Sequence, residues 1–242
     1  KSPVPDIVNM AYNEKNMTFG ENYIIPKPLD PRLLDTVAPA VARAAMDSGV
    51  AKYPITHWEE YEASLNKRLG LDNQVMRVIG NKARRNPKRI VFAEADNVKI
   101  LKAAQIVFDE GVGYPILLGD VNKINKIAEA NGIDLEGLPI FDPRSDEMEQ
   151  KRNAYSEISF QKRGRKGFNA YESKKVMKDR NYFGCMMVEF GDADAMISGL
   201  AKNYPDTIRP ALQTIGTEEG VKKIAGMYLM LTKKGPLFLA DT

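Results

Sequence analysis

Cysteine, histidine and tryptophan each occur once in this chain of 242 residues, as Cys185, His57 and Trp58. One cysteine excludes an internal disulfide or a thiolate zinc cluster, and one histidine argues against both a histidine-rich metal site and a Ser-His-Asp triad. No apolar run approaches the roughly 20 residues of a transmembrane helix. Lys1-Ser2-Pro3-Val4-Pro5 lacks the charged and apolar regions of a secretory signal. The expectation is a cytoplasmic protein with no membrane partner. Neither G-x-G-x-x-G after a strand nor G-x-x-x-x-G-K-[ST] is present, so no dinucleotide loop or P-loop is expected. Internal repeats and low-complexity segments are absent too. Chemistry in this chain has to rest on Arg, Lys, Asp and hydroxyl groups.

What is present is the composition of an ordinary globular protein, 43% hydrophobic and 28% charged, with a net charge of +3. The charge is uneven. Lys82-Ala83-Arg84-Arg85-Asn86-Pro87-Lys88-Arg89 ends just before an apolar run, and Lys162-Arg163-Gly164-Arg165-Lys166-Gly167 lies between two helix-like stretches. Such runs are usually solvated faces. Glycines in the second bring backbone N–H groups near arginines, a composition suited to phosphate or carboxylate. Neither cluster carries interleaved aromatics and no RNA or DNA motif appears, so a nucleic-acid partner is not expected.

Residues 1–75 differ from the rest. Seven prolines punctuate them, an extended Tyr23–Pro28 precedes a small-residue helix over Ala38–Met46, and no self-contained core is apparent. Thr56-His57-Trp58-Glu59 reads as a capping box starting a helix through Leu69 that ends at Gly70, which makes His57 an exposed first-turn residue. From Lys88 strands and helices alternate. Strands are expected at 89–93, 114–119 and 138–142, and helices at 98–110 and 122–130, followed by long helices over 148–161 and 170–190 and a strand at 195–198. Residues 224–232 and 236–240 read as a β-hairpin. The fold expected is α/β: a parallel or mixed sheet with flanking helices, preceded by a helical and extended linker region, with ligands at the carboxyl ends of the strands. Cys185, in Gly184-Cys185-Met186-Met187-Val188, reads as a packing residue.

Ser198-Gly199-Leu200-Ala201-Lys202-Asn203-Tyr204-Pro205-Asp206-Thr207-Ile208-Arg209-Pro210 reads as a strand end, a loop and a helix start. With Thr207 as N-cap, Arg209 is the second helical residue and Pro210 the third, where proline removes no intrahelical bond. A cation at the positive end of the macrodipole needs a partner. Asp206 is one candidate and a bound phosphate is the other.

Several long motifs carry a resemblance. Residues 1–75 resemble the end of the NADP-dependent malic enzyme catalytic region, through Val4-Pro5-Asp6, the Phe19–Arg32 stretch and Pro39–Ala51. Residues 76–242 resemble the amino-terminal half of a phosphate acetyltransferase domain, through Pro87–Glu94, Pro115–Gly119, the basic-glycine loop, Ser198-Gly199-Leu200, Ile208–Gln213 and Phe238–Thr242. Together they resemble the bacterial hybrid malic enzymes. The resemblance implies an acetyl-CoA-sensing regulatory domain in an enzyme that oxidatively decarboxylates malate to pyruvate and carbon dioxide. It implies NADP and a divalent metal (Mg or Mn) at sites outside this chain, acetyl-CoA or CoA as effector, and a homo-oligomer. By position Arg163 and Arg209 match the two phosphate-side arginines of the acetyltransferases, with the Ser198 hydroxyl nearby, and no catalytic or metal-binding residue is assigned here. Active acetyltransferases carry a His-Thr-Thr type stretch where this chain has Leu200-Ala201-Lys202-Asn203-Tyr204, and a cysteine where it has Thr242. The isolated chain is expected to be inactive, and the competing reading is an active phosphate acetyltransferase.

Overall fold

The computed structural model describes residues 4, 6–14, 17, 20–21, 23–68, 74–164, 169–232 and 235–241. Leu69 and Gly70, the Arg165-Lys166-Gly167 part of the basic-glycine loop, the Lys233-Lys234 turn and Thr242 lie outside the described residues. The chain divides into two compact units, residues 1–77 and 78–242.

The first unit is small and helical. It contains α1 (Asp6–Ala11), a π-helical turn Leu33–Val37 that runs directly into α2 (Ala38–Asp47), and α3 (Trp58–Arg68). Among the described residues its buried cluster is Val4, Val8 and Tyr23, flanked by Tyr12 and Met17. Polar contacts carry the rest. Arg32 forks onto buried Asp30, with Nη2 to Oδ2 at 2.7 Å, and the Arg43 guanidinium stacks on Trp58 with 4.6 Å to the ring centroid while reaching Glu62. α3 begins at Trp58, one residue later than the capping box suggests, and His57 is exposed. Helix α4 (Gln74–Arg85) spans the join between the units.

The second unit is built around β1 (Lys88–Phe92), α5 (Val98–Asp109), β2 (Gly113–Leu118), α6 (Val121–Ala130) and β3 (Ile140–Phe141). There follow a 3-10 turn, α7 (Glu149–Arg163), α8 (Ala170–Val176), α9 (Arg180–Phe190), β4 (Ala195–Ile197) and α10 (Tyr204–Thr214). The four strands lie in the order β3-β2-β1-β4 and all pair in parallel. Because side chains alternate across a strand, a sheet covered on both faces needs apolar residues at consecutive positions. Val91 and Phe92 do this on β1, as do Ile116, Leu117 and Leu118 on β2. Val91, Ile116 and Leu118 pack with Tyr155, Met177, Phe183, Met186 and Met187 of the α7–α9 layer. Phe92 and Leu117 pack with Leu101, Ala104, Ile124 and Ala128 of the α5–α6 layer. The result is three layers. The separate β5 (Gly226–Thr232) and β6 (Gly235–Asp241) form an antiparallel ribbon whose described residues are nearly all exposed.

Two sequence expectations are corrected. The single helix over 170–190 is two helices. Asp179 breaks it because its carboxylate accepts from the backbone N–H of Asn181 at 2.9 Å and of Tyr182 at 3.3 Å, starting α9 afresh. α10 starts at Tyr204 with Asn203 as N-cap and Pro205 in the first turn, four residues before the expected start. Arg209 is therefore the sixth helical residue, Pro210 is interior and Thr207 does not cap.

Candidate functional site: the cleft at the switch point

From β1 the chain winds outward through β2 to β3, and then returns to lay β4 on the other side of β1. The order therefore reverses between β1 and β4, and in open α/β sheets a crevice forms beyond the carboxyl ends of two such strands. A cleft of about 400 Å³ occupies that position. Ala93, Glu94, Asp96 and Asn97 reach it from the loop after β1, and Ala201 and Lys202 from the loop after β4. Asp179, Arg180 and Asn181 line it from the start of α9, and Arg144 from the segment after β3.

Each acid in the cleft is engaged. The Glu94 carboxylate, 7% exposed as a residue, accepts three successive backbone N–H groups: Oε2 from Gly199 at 3.1 Å and Leu200 at 2.7 Å, and Oε1 from Ala201 at 3.0 Å. Asp96 accepts both Nη atoms of Arg180, at 2.6 and 3.0 Å, and Lys123 Nζ at 2.9 Å. The Arg180 hydrogen bonds hold its carboxyl well below the usual carboxylate range, against burial, and Asp96 in turn raises the Arg180 guanidinium. Asp179 caps α9 and pairs with Lys202 at 2.8 Å. Among the described residues the Arg144 guanidinium has no hydrogen-bond or ion-pair partner.

The three residues expected to hold phosphate are distributed around α10: Ser198 before it, Arg209 on it, and Arg163 of α7 at its end. Ser198 donates to Asn181 Oδ1 at 2.9 Å, so it touches the cleft wall through Asn181. Arg209 lies beyond the first turn of α10; its nearest acid is Asp206 at 3.9 Å, with both side chains more than half exposed. The helix-start anion geometry is thereby corrected, because the free N–H groups belong to the turn beginning at Tyr204. Arg163, in the last turn of α7, donates from Nε to the Gln213 carbonyl at 2.9 Å and from Nη2 to that of Leu212 at 3.2 Å. Beside it Lys162 donates to the Thr214 carbonyl at 3.2 Å and pairs with Glu189. The two cations thus clasp the open carbonyls that end α10. Arg163 and Arg209 still share one neighbour. The Tyr182 hydroxyl, which donates to Gln213 Oε1, is pushed up by burial and pulled down by the charges of both arginines.

Sequence reasoning missed Glu94, Asp96, Arg180 and Asn181. A signal existed for the first two, since Glu94-Ala95-Asp96-Asn97 directly follows the β1 run and strand ends carry ligands in such folds. Arg180 and Asn181 were hidden inside a helix read as continuous. Among the described residues no site fits the malic-enzyme cofactors. No group of three or more His, Cys, Asp or Glu able to hold a metal occurs among the described residues. The loop after β1 lacks the glycines a dinucleotide pyrophosphate requires.

A three-layer parallel α/β unit with a polar cleft at its switch point belongs to the doubly wound class. Residues 74–242 match the phosphate acetyl/butaryl transferase family, and the chain belongs to that family. The NADP-dependent malic enzyme of Rhizobium meliloti (strain 1021) is 35% identical over 245 residues, covering 100% of this chain and 32% of the relative. The phosphate acetyltransferase of Thermoanaerobacterium thermosaccharolyticum is 36% identical over 156 residues, covering 64% of this chain and 46% of the relative. Among solved structures, the EutD phosphotransacetylase from Staphylococcus aureus superposes with a TM-score of 0.60 at 28% identity, over 68% of this chain and 49% of that one. The chain spans about a third of the length of the malic enzymes it matches.

Proposed function

We propose that this chain is part of a longer cytoplasmic NADP-dependent malic enzyme, which oxidatively decarboxylates malate to pyruvate and carbon dioxide. In that protein the chain serves mainly as a regulatory module sensing acetyl-CoA or a related acyl phosphate. One observation carries the reading: the likeness to malic enzymes runs through both units, whereas the likeness to a phosphate acetyltransferase covers 64% of the chain. NADP and the divalent metal (Mg or Mn) belong to the remainder of the parent enzyme. The effector's anionic groups are held by side chains, Arg163 and Arg209 beside Tyr182, with Ser198 at the cleft wall. Phosphate acetyltransferase activity is the alternative. It is disfavoured because the loop facing the cleft offers Leu200-Ala201-Lys202 and no histidine. In the first basic cluster Arg84 pairs with Glu110 and Arg89 with Asp194, which leaves those two arginines engaged within the chain rather than offered to a nucleic acid.

The test is malate-dependent NADPH formation by the full-length enzyme over a range of acetyl-CoA concentrations. Arg209→Ala is expected to weaken the effector about tenfold, the loss of one charge-assisted contact, with malate affinity unchanged in its absence. Arg163→Ala is expected to act in the same direction and non-additively. An acetyl-CoA response identical in wild type and both variants sinks the effector site. Acetyl phosphate formation from acetyl-CoA and phosphate establishes the alternative.

A further inference from the structure

Three consecutive backbone N–H groups converging on one point form a nest, a concavity that selects an anion. The loop after β4 makes such a nest from Gly199, Leu200 and Ala201, with Gly199 in the left-handed region at φ 113°. It sits beside the switch point, where a doubly wound sheet ordinarily receives the charged end of its ligand. Here the nest already holds an anion from the same chain, the carboxylate of Glu94, carried over from the loop after β1.

We propose that Glu94 is a positioning residue: its carboxylate serves as an internal anion that fixes the β4–α10 loop and closes the nest to the phosphate or carboxylate of any ligand entering the cleft. Three observations support this. Both carboxylate oxygens are used, and the Leu200 contact at 2.7 Å lies in the charge-assisted range. The contact spans 105 to 107 positions of sequence, so it joins two separate loops across the cleft. That loop carries Ser198 and Lys202, the former bonded to Asn181 and the latter to Asp179. A ligand's anion is therefore left to side chains at the cleft wall, of which Arg144 has its guanidinium free among the described residues. The inference concerns the loop alone and does not depend on the effector reading.

Chemical rescue tests it. Glu94 borders the 400 Å³ cleft, so Glu94→Ala opens a path to an empty nest of carboxylate size. In the full chain this variant is expected to melt about 5 °C lower than wild type, with faster amide exchange at residues 199–201. Sodium formate is expected to recover about half of that loss through mass action, while sodium chloride at equal ionic strength recovers none. Glu94→Gln keeps the side chain in place but presents an NH2 group to donors. It is expected to be destabilised and to gain nothing from formate, and its amide shifts at 199–201 decide the matter even if the alanine variant does not fold. Equal formate effects on wild type and Glu94→Ala, a folded Glu94→Ala that formate does not rescue, or a Glu94→Gln indistinguishable from wild type each overturn the proposal.

Discussion

Arg163 and Arg209 were matched by position to equivalent phosphate-side roles, yet their settings differ. Arg163 satisfies two carbonyls at the end of α10, so Arg163→Ala should lower stability by about 1–2 kcal/mol. Among the described residues Arg209 makes one ion pair, a long exposed contact with Asp206, so Arg209→Ala should cost at most about 0.5 kcal/mol. Urea denaturation of both variants gives the comparison, and an inverted order would contradict the clasp at the end of α10. Acid stability follows from aspartates depressed on folding, two of which are decisive here. The Arg89 hydrogen bonds bring the Asp194 carboxyl down to about 2, and Arg180 depresses Asp96. A carboxyl depressed on folding stabilises the native state above its unfolded pKa of about 4, and that stabilisation is lost as pH falls through the folded value. Stability should therefore decline from about pH 4 to pH 2 and below. Arg180→Ala should flatten this acid limb, which denaturant titrations across that range will measure; an unchanged slope would mean that Asp96 is not held by Arg180.

At the scale of elements, α9 lies close on the sheet because Gly184 has no side chain. A Cβ there would meet Val91 Cγ1 at 3.1 Å and Met196 Sδ at 2.7 Å. Methionine can yield and the β-branched valine far less, so Gly184→Ala should destabilise by about 1–3 kcal/mol in a thermal or urea melt; a neutral result would show that α9 can lift without cost. α10 shows how an interior proline is accommodated. Pro210 cannot donate to the Asp206 carbonyl one turn earlier, and Asn181 Nδ2 approaches that carbonyl at 3.5 Å instead. This explains which elements were legible in the sequence. The alternation of apolar and polar residues gave α5, β2, α6 and the hairpin to within a residue or two, since local periodicity reports burial directly. Helix starts were less legible. Asn203-Tyr204-Pro205 and Lys178-Asp179-Arg180 both start helices, but Thr207 and the unbroken 170–190 pattern offered competing local solutions that only tertiary packing separates. The cleft was legible as a place, the carboxyl ends of the strands. It was illegible as a set of residues, because the bonds that build it join positions about a hundred residues apart.

For the whole molecule, the exposed ribbon is the feature that bears on assembly. Met227, Tyr228 and Phe238 are 65%, 73% and 59% exposed, an apolar display that single domains usually cover. The homo-oligomer that the family resemblance implies would give it a use. Tyr228→Lys with Phe238→Lys should lower the mass measured by light scattering on the intact protein, and an intact protein that is monomeric without the substitutions would remove assembly from the reading. The reversal of strand order at β1 also bears on synthesis. A chain emerging amino end first can pair β1, β2 and β3 early, but the second edge of β1 stays bare until β4 leaves the ribosome. The tethers of that edge, Arg89 to Asp194 and Glu94 to the loop at Gly199, each span 105 positions. Closing so long a loop late is slow. The nascent domain thus carries an open strand edge through much of its translation, and this is the interval in which a chaperone or a neighbouring nascent chain can engage it.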